Sequence, residues 1–312
     1  MKLSVLTRNR KVLAYCGLIF VVVIWGISPL ITKAFYAYFS PTVRLAYSSL
    51  ICALTLLAIS WNKRKLLNKT YFAVAIPTGL FMGLADILQK VGLQYTTPTH
   101  YAFLENLSCL VVPVLLFFFI KKKPGALTIL AAVLCLCSSF ILTGWGGAES
   151  QNMLLGDILC AAAGVMFGIN IAGTGAFAKK LYAPLYLMIQ MFVEMAVAAV
   201  GTVVFHITDI EPVMFTFEWK ILLANVLLVF ISYTLCWLIR TCAMKHVDAT
   251  VVAVLMPFSS VVTMLVSVLT GKDSLTVNLV AGAALGLAAV ILSGLGDRQP
   301  SQRIQQNSQK LQ

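Results

Sequence analysis

Tyr95–Val133, YTTPTHYAFLENLSCLVVPVLLFFFIKKKPGALTILAAV, lies without a gap on His246–Ala284, HVDATVVAVLMPFSSVVTMLVSVLTGKDSLTVNLVAGAA, when the chain is slid against itself by 151 positions. Thr99 meets Thr250, Ala102 meets Ala253 and Leu104 meets Leu255. Each copy holds two apolar runs separated by a short polar turn. A second pair, SPTVRLAYSSL from Ser40 and APLYLMIQMFV from Ala183, agrees at a slightly different offset. The chain therefore reads as two related halves, and the number of apolar runs in each half decides how they are oriented.

The 312 residues are 60% hydrophobic and only 11% charged, so the chain is an integral membrane protein rather than a soluble one. Runs of about 20 apolar residues recur throughout, each long enough to cross a hydrocarbon core of about 30 Å as a helix. The predicted spans are 12–34, 42–60, 71–93, 98–120, 125–145, 154–176, 183–205, 218–240, 248–270 and 275–296. Connections are short, which makes neighbouring helices antiparallel. The basic segment before the first span does not read as a signal peptide: the apolar run is too long and no small-residue cleavage site follows it.

With a cytoplasmic N-terminus, 18 of the 23 Lys and Arg residues fall on the inner side, among them Lys63, Arg64, Lys121 to Lys123, Lys179, Lys180, Arg240 and Lys245. That bias is the positive-inside signature. Lys33, Arg44, Lys90, Lys220 and Lys272 scatter over the outer side. The net charge of +12 is thus topological, and no nucleic-acid partner is implied. The expected fold is all-α and membrane-integral: ten transmembrane helices as two inverted five-helix repeats, with both termini cytoplasmic. Its parts are a basic cytoplasmic N-terminus (1–11), a first repeat (12–145), an extracytoplasmic linker (146–153), a second repeat (154–296) and a disordered cytoplasmic tail (297–312). Five is odd, so the second half enters the membrane from the opposite side, an arrangement that places a site near the midplane between the halves.

Three acids stand inside apolar spans: Asp86, Glu105 and Glu194. A charge at mid-helix costs roughly 2.5–3.5 kcal/mol on insertion scales, so it normally faces a cavity or a partner. Asp86 and Glu105 lie about seven residues from the outer ends of neighbouring helices, or about 10 Å deep at 1.5 Å per residue. Helical spacing groups Glu105 with Tyr101, Ala102, Ser108 and Cys109, and Asp86 with Gly79, Met82, Gly83, Gln89 and Lys90. Each stripe suits either a water-filled cavity or a small-residue packing seam, and Lys90 at i+4 is a partner for Asp86. Two carboxylates sharing a cavity would let one of them hold either a proton or a cationic group, but not both.

Five segments carry a family resemblance: VIWGISPLITKAF (23–35), SPTVRLAYSSL (40–50), LQKVGLQYTTPTHYAFLENL (88–107), VVPVLLFFFIKKKP (111–124) and VDATVVAVLMPFSSVVTMLVSVLTGKDSLT (247–276). Together they resemble the EamA family of the drug/metabolite transporter superfamily over residues 12–296. The resemblance implies ten helices in two inverted repeats and transport of small metabolites, often outward. It also implies that helix 7, which holds Glu194, is more peripheral than helices 1, 3, 4, 6, 8 and 9. Two departures stand out: Lys272 replaces the family's usual glutamate in TGKD, and LEN at Leu104 is more polar than usual.

The expected function is secondary transport of small amino-acid-like or amine-bearing amphipathic solutes across a bacterial plasma membrane, as an exporter working by alternating access. A proton is the coupling ion if the two acids share a cavity. Glu105 and Asp86, with Tyr101, Trp25, Asn170 and Trp237, are the candidates for substrate binding or proton coupling. Trp237 and Met256 stand at the positions equivalent to Asp86 and Glu105 and would supply an apolar surface opposite the acids. Glu194 and Arg44 are gate candidates. Competing readings are a channel-like facilitator, a multidrug efflux protein and, least favoured, a membrane-embedded enzyme. No cofactor or metal is expected: the three histidines do not cluster, and the eight cysteines read as reduced packing residues. The bilayer and a small solute are the expected partners, and the sequence leaves monomer or homodimer open. Pro113 and Pro257 are expected bending points.

Overall fold

The computed structural model describes residues 2–108, 126–142, 151–177, 181–247, 258–272 and 274–289, with single positions within 111–117, 252–256 and 291–292. Pro113, Pro257, most of the expected linker and the tail after Asp297 lie outside the described residues.

The helices are α1 (Lys2–Phe35), α2 (Pro41–Ser60), α3 (Lys69–Tyr95), α4 (Pro98–Leu104) and α5 (Ala126–Leu142). They continue with α6 (Gln151–Phe177), α7 (Ala183–Ile207), α8 (Trp219–Ala243), α9 (Phe258–Leu269) and α10 (Val277–Ala289). Six of them, α1 from Arg10, α2, α3, α6, α7 and α8, are long and apolar enough to cross a bilayer. The protein is therefore an all-helical, multi-pass membrane protein. The described residues hold no β-strand, only an isolated bridge between Phe39 and Phe215.

Helix starts follow local chemistry. Asn68 caps α3 by accepting from the backbone N–H groups of Thr70 (3.0 Å) and Tyr71 (3.3 Å), satisfying donors that no helical carbonyl can reach. Pro41 and Pro98 open α2 and α4, where the missing N–H costs nothing. Thr97 caps α4 through the His100 N–H.

α2, α3, α6, α7 and α8 begin and end within three residues of their predicted spans. The backbone is already helical from Lys2. Two expectations change. Glu105 does not sit on regular α-helix, because α4 passes into a 3-10 turn over Glu105–Leu107. α8 contains a π-helical stretch, Val229–Leu235, which widens the helix and shifts the facing of everything after it.

The halves interlock rather than standing side by side. α3 packs against both α6 and α7, α2 against α7, and α1 against α9 and the C-terminal part of α8. Lipid offers helices no hydrophobic gain on association, so close packing must hold them, which favours small residues at the seams. Gly92 of α3 and Gly156 of α6 meet in this way: a Cβ on Gly156 would lie 2.8 Å from the Gly92 carbonyl oxygen. Large apolar side chains such as Leu54, Ile158, Val200 and Val203 are exposed on the outer surface, as a lipid-facing perimeter requires.

Candidate functional site

A cavity of about 100 Å³ opens where α1, α2, α3, α4, α6 and α8 converge, with Met256 and Ser259 beside it. That is room for several water molecules, and the wall is polar enough to hold them.

The α3 wall contributes Asp86, Gln89 and Lys90. Lys90 pairs with Asp86 at 3.3 Å, as the i+4 spacing suggested, and donates to Gln89 Oε1 (3.1 Å) and the Tyr101 hydroxyl (3.3 Å). One Asp86 oxygen, Oδ2, is buried with no hydrogen-bond partner. The rest of the α3 stripe does the other job foreseen for it. Gly79 lies against Gln190 and Val193 of α7, and Gly83 against Glu194 and Val197. A single stripe thus lines the cavity at one end and forms a packing seam at the other.

Across a short turn, Tyr101, Ala102, Glu105, Asn106 and Ser108 line the cavity together. Asn106 Nδ2 donates to Ser260 Oγ (3.0 Å), which donates to the Ala102 carbonyl (2.7 Å), fixing this wall to α9. The turn lies close to α6 because Gly164 faces it: a Cβ there would be 2.8 Å from the Leu104 oxygen and 3.0 Å from the Glu105 oxygen. Asp86 and Glu105 therefore do face one cavity.

The aromatic wall comes from both halves. Trp25 and Trp237 meet edge to face with centroids 5.2 Å apart, and Trp25 Nε1 donates to the Ser232 carbonyl (2.8 Å) in the π-helical stretch. Phe167 and Tyr233 each lie 6.4 Å from Trp237. Four pairs of residues 151 positions apart line this one cavity: Asp86 and Trp237, Gln89 and Arg240, Glu105 and Met256, Ser108 and Ser259.

Arg240 changes the electrostatics. The sequence placed it with the inner-loop cations because it ends the predicted span; instead it lies within α8, buried, with its guanidinium 4.7 Å from the Trp237 ring centroid. Its place 151 positions after Gln89, one turn after Trp237, was the signal that could have found it. Arg44, the other cavity arginine, is also buried, and its Nε donates to Asn225 Oδ1 (3.0 Å), joining α2 to α8. The lining thus carries three basic groups, Arg44, Lys90 and Arg240, against two acids.

Two candidates lie elsewhere. Asn170 does not line the cavity; its Nδ2 donates to the Thr78 carbonyl (3.0 Å), tying α6 to α3. Glu194, wholly buried, stands behind the cavity wall, where Ser49 Oγ (3.0 Å) and the Tyr233 hydroxyl both donate to Oε1. Tyr233 does line the cavity, so it is the bridge between the two. Beside Glu194, Gln190 donates to Thr78 Oγ1 (3.0 Å) and the Tyr186 hydroxyl (3.1 Å), joining α7 to α3.

At the end of the bundle predicted to face outward, the α7–α8 connection is held against the start of α2. Glu211, from the α7–α8 connection, accepts from the backbone N–H (3.0 Å) and hydroxyl (2.6 Å) of Thr42 at the start of α2. Phe215 packs on Phe39, with centroids 5.3 Å apart. Asp157, a buried acid near the start of α6 that the sequence reading passed over, accepts from the Thr96 hydroxyl and pairs with His100 at 3.1 Å.

A multi-pass helical bundle enclosing a mixed-charge, aromatic-walled cavity where its two halves meet defines an integral membrane protein built around an internal polar site. Residues 12–144 match the EamA-like transporter family. Among curated proteins it is similar to the uncharacterized transporter YetK of Bacillus subtilis (strain 168), 24% identical over 164 residues. That match takes in 50% of this chain and 49% of the relative, so the chain spans about half the length of the curated relative it matches. A solved crystal structure superposes with a TM-score of 0.66 over 94% of this chain and 99% of its own, at 14% identity. At that identity the likeness is one of fold alone.

Proposed function

We propose that the protein is a secondary transporter that carries small amino-acid-like or amine-bearing amphipathic solutes across a membrane by alternating access, with the cavity as its substrate site. One observation supports this above all: residues at equivalent places in the two halves line a single cavity, acids from the first half facing aromatic and apolar groups from the second. A pocket with an apolar body and a few fixed polar groups is what a small amphipathic ligand needs. The amine docks at Glu105, with Asp86 and Lys90 beside it, while the solute's ring or chain lies against Trp25 and Trp237.

Alternating access makes the outer closure a gate: the Glu211–Thr42 and Asp157–Thr96 contacts part when the cavity opens outward. Arg44, bonded to Asn225 beneath that closure, moves with it. We take the direction as outward and the coupling ion as a proton, which Glu105 holds when no amine is bound. The membrane is a bacterial plasma membrane in this reading, and the chain carries out no covalent chemistry.

The test uses reconstituted vesicles and a panel of labelled amines and amino acids, with and without a pH gradient. Wild-type protein should accumulate at least one solute when the gradient is imposed. Glu105→Gln, which cannot exchange a proton, should lose the response to the gradient. Full rate and full pH dependence in that variant would contradict the assignment.

A further inference from the structure

The connection between α7 and α8, residues 208–218, is polar where it meets the bundle and apolar where it faces away, and we propose that its outward side docks on lipid at the headgroup boundary of the adjoining leaflet. Lipid is then the partner that keeps this connection pressed on the start of α2. This seating holds whether or not the cavity carries a solute.

On the inner side, Glu211 is buried and accepts from the Thr42 N–H and hydroxyl and from Gln94 Nε2 (3.4 Å). The Met214 carbonyl accepts from the Ser40 N–H (3.1 Å), and the Met214 N–H donates to Ser40 Oγ (3.3 Å). Phe215 packs on Phe39 and Tyr47. These contacts fix the backbone and hold the remaining side chains outward. Phe217 is 85% exposed, Val213 52%, Ile210 51%, and Trp219, the first residue of α8, 67%. Large apolar side chains grouped in this way are disfavoured in water and mark an interaction surface, and aromatic residues gather where a bilayer meets water.

The placement agrees with lipid. α7 runs for 25 residues, about 37 Å at 1.5 Å per residue against a hydrocarbon core of about 30 Å, so its last turn reaches the headgroups. The exposed apolar residues of the connection continue the lipid-facing perimeter, with Val203, Val204 and Ile207 before them on α7 and Leu223 and Leu227 after them on α8. Asp209, Glu218 and Lys220 are exposed among them. Headgroups and water accommodate such charges, whereas the core of an interface with a second copy of the chain would exclude them.

The test uses the native tryptophans of the full chain in vesicles of phosphatidylcholine brominated either near the headgroup or near the chain ends, with Trp219→Phe to isolate the Trp219 emission. That emission should be quenched more by the shallow bromines than by the deep ones, and little by aqueous iodide. Quenching by iodide alone would put the connection in water, and insensitivity to both quenchers would mean that protein, such as a second copy of the chain, covers it; either result overturns the proposal. Phe217 supplies a second readout. In a Thr42→Cys background, Phe217→Ser should speed reaction of the cysteine with a soluble maleimide several-fold, because the connection lifts more readily. Phe217→Leu, which keeps an apolar group but loses the ring contact with Phe215 (5.1 Å), should stay near the parent rate. Equal acceleration in both would assign Phe217 to aromatic packing and contradict a hold exerted by lipid.

Discussion

Glu194 shows how a buried acid is accommodated without facing the cavity. Ser49 and Tyr233 both donate to its Oε1, so three helices, α2, α7 and α8, meet at one carboxylate. Replacing it by alanine takes the acceptor from the Tyr233 hydroxyl, while Ser49 keeps the Leu45 carbonyl at 2.8 Å; a polar group left unsatisfied costs about 1–3 kcal/mol. Glu194→Ala should therefore melt well below wild type in a thermal denaturation assay, whereas Glu194→Gln, which keeps an acceptor, should lose much less. Equal losses would mean that the negative charge, not the hydrogen bonds, is what matters there. At this scale the sequence revealed part of the site. The i+4 spacing of Asp86 and Lys90 foretold their pair, and the faces drawn around Glu105 correctly grouped Tyr101, Ala102 and Ser108. Asn170 and Glu194 stand off the cavity lining for one reason: spacing says which residues share a face, but only the packed neighbour says what the face meets. For both residues that neighbour is another helix.

Among the elements, the 3-10 turn at Glu105 and the π-helical stretch of α8 do most to shape the cavity. Neither was legible, because both are departures from regular helix that tertiary packing imposes on ordinary apolar sequence. The turn depends on Gly164, whose missing Cβ lets α6 approach the Leu104 and Glu105 carbonyls. Gly164→Ala should push the turn away, weaken solute binding at least several-fold and destabilise the fold by about 1–3 kcal/mol, as overpacking does. Binding by isothermal titration and stability by thermal melt would check both halves of that expectation. The connection between α7 and α8 has a separate test. Thr42 Oγ1 and Glu211 Oε1 are 2.6 Å apart, so cysteines introduced at the two positions lie within the span of a short bifunctional methanethiosulfonate. The cross-linked Thr42→Cys/Glu211→Cys protein should be locked and inactive in transport, and reduction should restore it. Activity that survives cross-linking would show that this end need not open.

For the whole molecule, hydropathy carried the six membrane-length helices. Six apolar helices were placed correctly because a bilayer demands a minimum length of uninterrupted apolar residues. The orientation of those helices follows from the Lys and Arg bias and predicts opposite sides for two exposed positions, Lys63 and Glu218. A cysteine at 63 should react with an impermeant maleimide only from inside the cell, and one at 218 only from outside. Labelling of both from one side would overturn the predicted topology. The charge bias also accounts for the misplacement of Arg240. It treats each cation near a helix end as a loop residue, and an arginine held inside the bundle by an aromatic ring is invisible to it.

The central claim is that the cavity between the halves carries a solute across the membrane. Counterflow tests it most directly: vesicles containing the protein are loaded with excess unlabelled solute and diluted into a trace of the same labelled solute. The account predicts a transient accumulation of label that requires the internal load and falls sharply in Glu105→Gln. Entry of label that is indifferent to internal solute, or equal in the variant, would contradict it.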